Sequence, residues 1–88
     1  MAEQTIVVHN ASGLHARPAA VFVKTAKSFP GTSIEISKDG VTRDAKSILG
    51  VITLAVTKGT TITIRTSGEE ADAALKALVD AIESGLGE

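Results

Sequence analysis

Thr61-Ile62-Thr63-Ile64-Arg65-Thr66, followed shortly by the run from Ala71 to Ile82, decides the fold of this chain. The first segment alternates polar and apolar residues, the pattern of a strand with one buried face. In the second, Ala71, Ala74, Leu75, Leu78, Val79 and Ile82 recur at helical spacing and share one face. A half-buried strand and an amphipathic helix joined this closely cover one another, which makes the class α+β. Ser67-Gly68-Glu69-Glu70 between them reads as a capping box, and Gly85 and Gly87 mark the helix's frayed end.

Upstream, Lys58-Gly59 turns the chain into that strand. Thr5-Ile6-Val7-Val8 is β-branched and reads as a first strand, and Asn10-Ala11-Ser12-Gly13 is turn chemistry. A helix is expected from Ala16 to Lys27, where Pro18 is tolerated because first-turn residues have no intrahelical N–H bond to lose. Phe29-Pro30-Gly31 ends it. Ser33-Ile34-Glu35-Ile36-Ser37 alternates as a half-buried strand, and Lys38-Asp39-Gly40 signals a hairpin returning through Val41-Thr42-Arg43. A short helix starts near Ser47 and takes in Ile48, Leu49 and Ile52. The order is βαββαβα, one four-stranded sheet with helices on one face, in a single domain spanning residues 1–88.

Composition narrows the function. There is no cysteine, so the core is expected from aliphatic packing without disulfides or cysteine-ligated metal. Phe22 and Phe29 are the only aromatic residues, too few for the stacking platforms of single-stranded nucleic-acid binders. A net charge of −1 supplies no field towards nucleic acid or anionic lipid. Neither a signal peptide nor a membrane span is legible, so a cytoplasmic protein is expected, with no membrane insertion.

Gly13-Leu14-His15-Ala16-Arg17-Pro18-Ala19 carries the chemistry. It puts His15 at the first step of a helix, where unpaired backbone N–H groups favour a phosphate. A neutral imidazole has a ring nitrogen free to attack, and the helix dipole stabilises an anion there by roughly 0.3–1 kcal/mol where exposed. Arg17 offers planar donors to phosphate oxygens, a geometry lysine cannot reproduce. A histidine here can also be a plain helix cap and Arg17 a solvated charge. Gly13, Arg17 and Pro18 around His15, just after a strand, favour the chemical reading. His9 has no partner at ligand-like spacing and reads as a structural or solvent-facing residue; no metal set is legible. Ser12 has two readings, a helix cap accepting from an N–H or a contact to the phosphate.

Beside this stretch, Arg17, Ala20, Lys24 and Lys27 fall on one stripe of the first helix, opposite Ala19, Val23 and Ala26. Lys46 and the apolar Ile48, Leu49 and Ile52 of the short helix extend it. An apolar patch ringed by positive charge fits a partner with an acidic rim. Leu49 and Ile52 are the expected docking residues, ahead of Ile48, although some of these side chains must be ordinary core in so small a domain.

With these residues in view, the chain resembles the HPr family, the histidine-containing phosphocarriers of the bacterial sugar phosphotransferase system. The resemblance spans essentially the whole chain to Gly85-Leu86-Gly87-Glu88. Two motifs carry it: Gly13 to Ala19, and Lys46-Ser47-Ile48-Leu49-Gly50-Val51. It implies an open-faced β-sandwich, a four-stranded antiparallel sheet covered by three helices. It also implies that His15 takes a phosphoryl group from enzyme I, charged by phosphoenolpyruvate, on the ring nitrogen nearer the backbone. The group then passes to enzyme IIA domains of sugar permeases. Such a protein is a monomeric carrier without cofactor, and no catalyst in its own right.

Ser47 is similar to the regulatory serine that an HPr kinase/phosphorylase modifies in some bacteria, creating a surface for a catabolite-control repressor; a plain helix-capping role is the other reading. Two departures from the family pattern stand out. The Phe29-Pro30-Gly31 connection is one residue longer, and Leu54-Ala55 replaces a common Leu-Gly pair. A paralogous carrier of a nitrogen-regulatory or dihydroxyacetone relay has the same chemistry. A ligand-binding α+β domain shares the architecture but has no need of an exposed nucleophile.

Overall fold

The computed structural model describes residues 1–88. Its elements are β1 (Ala2–Val7), α1 (Ala16–Lys27), β2 (Thr32–Lys38), β3 (Val41–Asp44), α2 (Ile48–Thr53), β4 (Thr61–Gly68) and α3 (Ala71–Glu83). The βαββαβα order read from the sequence is the observed one. All four strands join one sheet in the order β1-β4-β2-β3, and every neighbouring pair is antiparallel.

Alternation in the strands decides which face is covered. Ile62, Ile64 and Thr66 of β4 are buried, as are Thr32, Ile34 and Ile36 of β2, whereas Arg65, Ser33 and Glu35 are exposed. The register sets Ile36 beside Ile64 and Ile34 beside Thr66, so a buried and mostly apolar band crosses the middle of the sheet. The helices close over it: α1 through Ala19, Phe22, Val23 and Ala26, α3 through Ala74, Leu78 and Ile82, and α2 through Val51. Each fully buried large side chain, such as Phe22, contributes about 1.5–3 kcal/mol. The sheet's other face stays open to solvent.

Three local expectations are corrected. The first strand begins at Ala2, and Val8 lies just beyond its end; Val8 is still held, its N–H on the Thr60 carbonyl and its carbonyl on the Gly59 N–H. No capping box opens α3. Ser67 is still in β4, paired with Ser33, and the cap residue Glu70 makes no side-chain cap bond. Buried threonines tie this corner instead. Thr32 Oγ1 accepts from the Glu70 N–H at 3.3 Å, and Thr66 Oγ1 donates to the Ala71 carbonyl at 2.6 Å.

The end of α3 is not frayed. Gly85, Leu86 and Gly87 all take left-handed φ values of 89, 53 and 88°, reversing the chain in a compact turn. Leu86 is plugged into the core, 1% exposed, and its N–H bonds the Ala81 carbonyl. A Cβ on Gly87 would stand 3.7 Å from Val21 Cγ2, so the segment lies against α1. Glu88 is thereby carried back to the loop that leads into α1.

Candidate functional site

The loop between β1 and α1 is built to present one side chain. Asn10 is buried, and its Nδ2 donates to the Gly13 carbonyl at 2.9 Å, while the Gly13 N–H returns a bond to the Asn10 carbonyl. Leu14 is fully buried, and its N–H reaches the Val56 carbonyl at 3.0 Å. Pro18 and Ala19 are buried on the other side. His15 lies between these two anchors and is exposed.

His15 is the cap residue of α1, with extended backbone (φ −129°, ψ 154°), one position before the first helical residue. Its ring does not serve as a cap, because the side chain makes no hydrogen bond to the helix. The turn into α1 falls on Ala16, whose φ of 47° is left-handed. A side chain there costs on the order of 1–3 kcal/mol unless its surroundings enforce it, and the buried anchors on both sides do so. The N–H groups of Ala16 and Arg17 find no backbone acceptor. Arg17 is exposed and forms neither of the chain's two ion pairs, Arg65–Glu3 and Lys76–Asp80. An exposed imidazole, two free amide donors and an unpaired guanidinium thus meet at one helix mouth, the donor set that suits an oxyanion.

Ser12 does not cap the helix. Its Oγ donates to Glu88 Oε2 at 2.6 Å and its N–H to Oε1 at 3.1 Å, which Asn10 Nδ2 also reaches at 2.9 Å. These bonds, and more weakly the charge of Arg17, hold the Glu88 carboxyl below its ordinary value. Nothing in the sequence singles out Glu88, because its partners lie at the far end of the chain. His9 is exposed in the loop two residues beyond β1, and no three metal-ligating side chains come together.

The expected stripe on α1 is present: Arg17, Ala20, Lys24 and Lys27 are all exposed, and Ala19, Val23 and Ala26 are buried. Ala20, Val23, Lys24 and Lys27 line a shallow groove of about 270 Å³ with Ile48 of α2. Ile48 is therefore part of the groove. Leu49 is the most exposed apolar residue of α2 at 70%, whereas Ile52 is half-buried against the core. Lys46 is no rim charge. Its ammonium is half-buried and donates to the Phe29 and Thr32 carbonyls at 2.8 and 2.6 Å, tying down the connection after α1.

Ser47 caps α2, its Oγ accepting from the Gly50 N–H at 3.0 Å. Beyond α2, Ala55 has a φ of 56°, the conformation for which glycine is suited. Lys38 Nζ holds this turn through the Leu54 and Ala55 carbonyls, both at 3.0 Å. No helix is long and apolar enough to cross a membrane.

The family model for the PTS HPr component phosphorylation site matches residues 2–84. The HPr-like protein Crh of Halalkalibacterium halodurans is 45% identical over 83 residues, covering 94% of this chain and 98% of that protein. The crystal structure of HPr-C-His from Thermoanaerobacter tengcongensis superposes with a TM-score of 0.96 at 46% identity, covering 100% of this chain and 98% of that one. The phosphocarrier protein HPr of Bacillus anthracis gives 0.88 at 44% identity, covering 92% and 95% of the two chains.

Proposed function

From the premise that this chain belongs to the PTS HPr family of phosphocarriers, we propose that His15 is its phosphoryl acceptor. In this reading residues 1–88 form one carrier domain, a cytoplasmic monomer that takes the group from enzyme I and delivers it to enzyme IIA domains. One observation carries the reading: the His15 ring is exposed and unbonded at the mouth of α1, beside the free N–H groups of Ala16 and Arg17 and an unpaired guanidinium.

The transfer needs little from this chain beyond position and charge. The lone pair of the ring nitrogen nearer the backbone forms the N–P bond, the donor's bond to phosphorus breaks, and its electron pair leaves with the donor. Arg17 and the two N–H groups receive the phosphoryl oxygens. In this reading the partners supply the catalysis, and the exposed His15 ring is open to their approach.

The stripe of Ala20, Lys24 and Lys27, with Ile48, Leu49 and the edge of Ile52, is the proposed docking face for both partners. Ser12 is assigned to the loop that supports this chemistry. Incubation with enzyme I and labelled phosphoenolpyruvate tests the reading. Acid-labile label on the wild type, lost in His15→Ala, is expected; label that survives this change removes His15 from the role.

The likeness to Crh, the Bacillus subtilis catabolite repression HPr, favours a second, regulatory use of the same domain through Ser47. A phosphate there would put a charge of about −1.5 to −2 beside Ile48 and Leu49, hindering enzyme I and offering a catabolite-control repressor a new surface. ATP with an HPr kinase/phosphorylase should label the wild type and leave Ser47→Ala unlabelled; equal labelling would exclude the site.

A further inference from the structure

Ala55 holds a left-handed φ of 56° between two buried neighbours, Leu54 and Val56. In a residue with a side chain this conformation persists only where the surroundings enforce it. The enforcing group comes from another element. Lys38, the last residue of β2, is half-buried and reaches over the C-terminus of α2, where its Nζ donates to the Leu54 and Ala55 carbonyls, both at 3.0 Å. It forms neither of the chain's two ion pairs, and α2 has no basic residue in its own last turn. A cation is thus held on carbonyls at the end of a helix, where no further N–H of that helix can bond them.

The next residue carries the consequence. The Val56 carbonyl accepts the Leu14 N–H at 3.0 Å, and Gly13 packs directly on the same oxygen. His15 follows at once in the chain. Were Ala55 to relax to an ordinary right-handed or extended conformation, the Val56 carbonyl would point elsewhere and the bond to Leu14 would be lost.

We propose that Lys38 is a positioning residue for phosphoryl acceptance: it fixes the turn at Ala55, the turn aims the Val56 carbonyl, and that carbonyl sets the backbone from which His15 projects. This rests on the carrier reading of His15. Lys38 acts through Val56 alone and takes no part in the bond changes at the imidazole.

The test compares wild type, Lys38→Met and Lys38→Arg, each with and without Ala55→Gly. Methionine keeps the length of the stem and removes charge and donors; arginine restores both. Amide hydrogen exchange in the unphosphorylated chain reads the clamp at the Leu14 N–H. In Lys38→Met this exchange should quicken by about tenfold relative to the amides of β4, the scale of losing charge-assisted bonds. Lys38→Arg should stay within about threefold of wild type, because its guanidinium can still donate to both carbonyls. With enzyme I and labelled phosphoenolpyruvate at saturating carrier, the rate of labelling at His15 should fall about threefold in Lys38→Met, as misaligned loops take up part of the population. Ala55→Gly adopts the left-handed turn unaided, so in that background Lys38→Met should change neither exchange nor rate.

Leu14 exchange that only keeps pace with β4 in Lys38→Met is a general loss of stability and overturns the proposal, as does an unchanged labelling rate. A rate defect that persists undiminished with Ala55→Gly also overturns it, and makes Lys38 a direct contact for the partner. Label absent even from the wild type overturns the carrier reading and the role in transfer with it, while the exchange result still decides whether Lys38 sets the clamp.

Discussion

Gly13 lies so close to Val56 that a Cβ on it would come within 2.2 Å of the Val56 carbonyl oxygen. That carbonyl already accepts the Leu14 N–H, so the approach is part of how the histidine loop is clamped to the turn before β4. Gly13 also has a left-handed φ of 59°. Gly13→Ala must push the loop off Val56 and should cost at least about 2 kcal/mol, lowering the melting temperature by roughly 10 °C. Phosphoryl acceptance at His15 should fall with it. Calorimetry that shows wild-type stability would mean the clamp is not needed.

Ala55 presents the opposite case, with a left-handed φ of 56° on a residue that has a side chain. The steric cost of about 1–2 kcal/mol outweighs the extra backbone entropy of glycine, about 0.5–1 kcal/mol. Ala55→Gly should therefore stabilise the fold by roughly 0.5–1 kcal/mol, a gain of a few degrees in melting temperature. A fall in that temperature would show that the Lys38 bonds to this turn already relieve its strain.

The Glu88 carboxyl is held low chiefly by the Ser12 hydroxyl, then by Asn10 and the Ser12 N–H; Arg17 is the charged group that acts on it. A depressed acid contributes stability that is present above its ordinary value of 4.5 and is lost as pH falls through the lower folded value. A carbon NMR titration should find the Glu88 midpoint below its ordinary value of 4.5. In Ser12→Ala its midpoint should rise towards the ordinary value, so that the carboxylate protonates earlier as the solution is acidified. No movement would place the cause elsewhere.

Lys24 and Lys27 flank the groove that holds Ile48, and both are exposed. Reversing both charges should slow association with enzyme I by about tenfold at low salt, with the deficit shrinking as salt screens the surface. Stopped-flow association rates check this. Equal rates at low ionic strength would exclude electrostatic steering from this face.

What could be read from the sequence was local. β4 and α3 were legible because their periods differ, and α1 was found at its observed boundaries, Ala16 and Lys27, from the turn before it and Phe29-Pro30-Gly31 after it. Ser47 as a cap was equally accessible, since cap and amide lie three residues apart. Misreadings came where a distant partner decides. Lys46 resembles any surface lysine until the Phe29 and Thr32 carbonyls stand beside it. Gly85 and Gly87 signal the end of a helix, but only the core reveals that Leu86 between them is a plug. The bond from Ser12 to Glu88 joins opposite ends of the chain and leaves no local pattern to read.

The position of β4 between β1 and β2 has a consequence for how the molecule comes into being. Neither neighbour can complete the sheet until Thr61–Gly68 arrives, because β1 pairs with β4 alone and only β2 and β3 meet beforehand. As the chain leaves the ribosome, the histidine loop emerges ahead of the segments that give it a fixed shape. Its clamps, Val56 and Glu88, emerge only later. A partly synthesised chain therefore exposes the histidine without the geometry to use it, and the ability to recognise a partner arrives together with the completed fold.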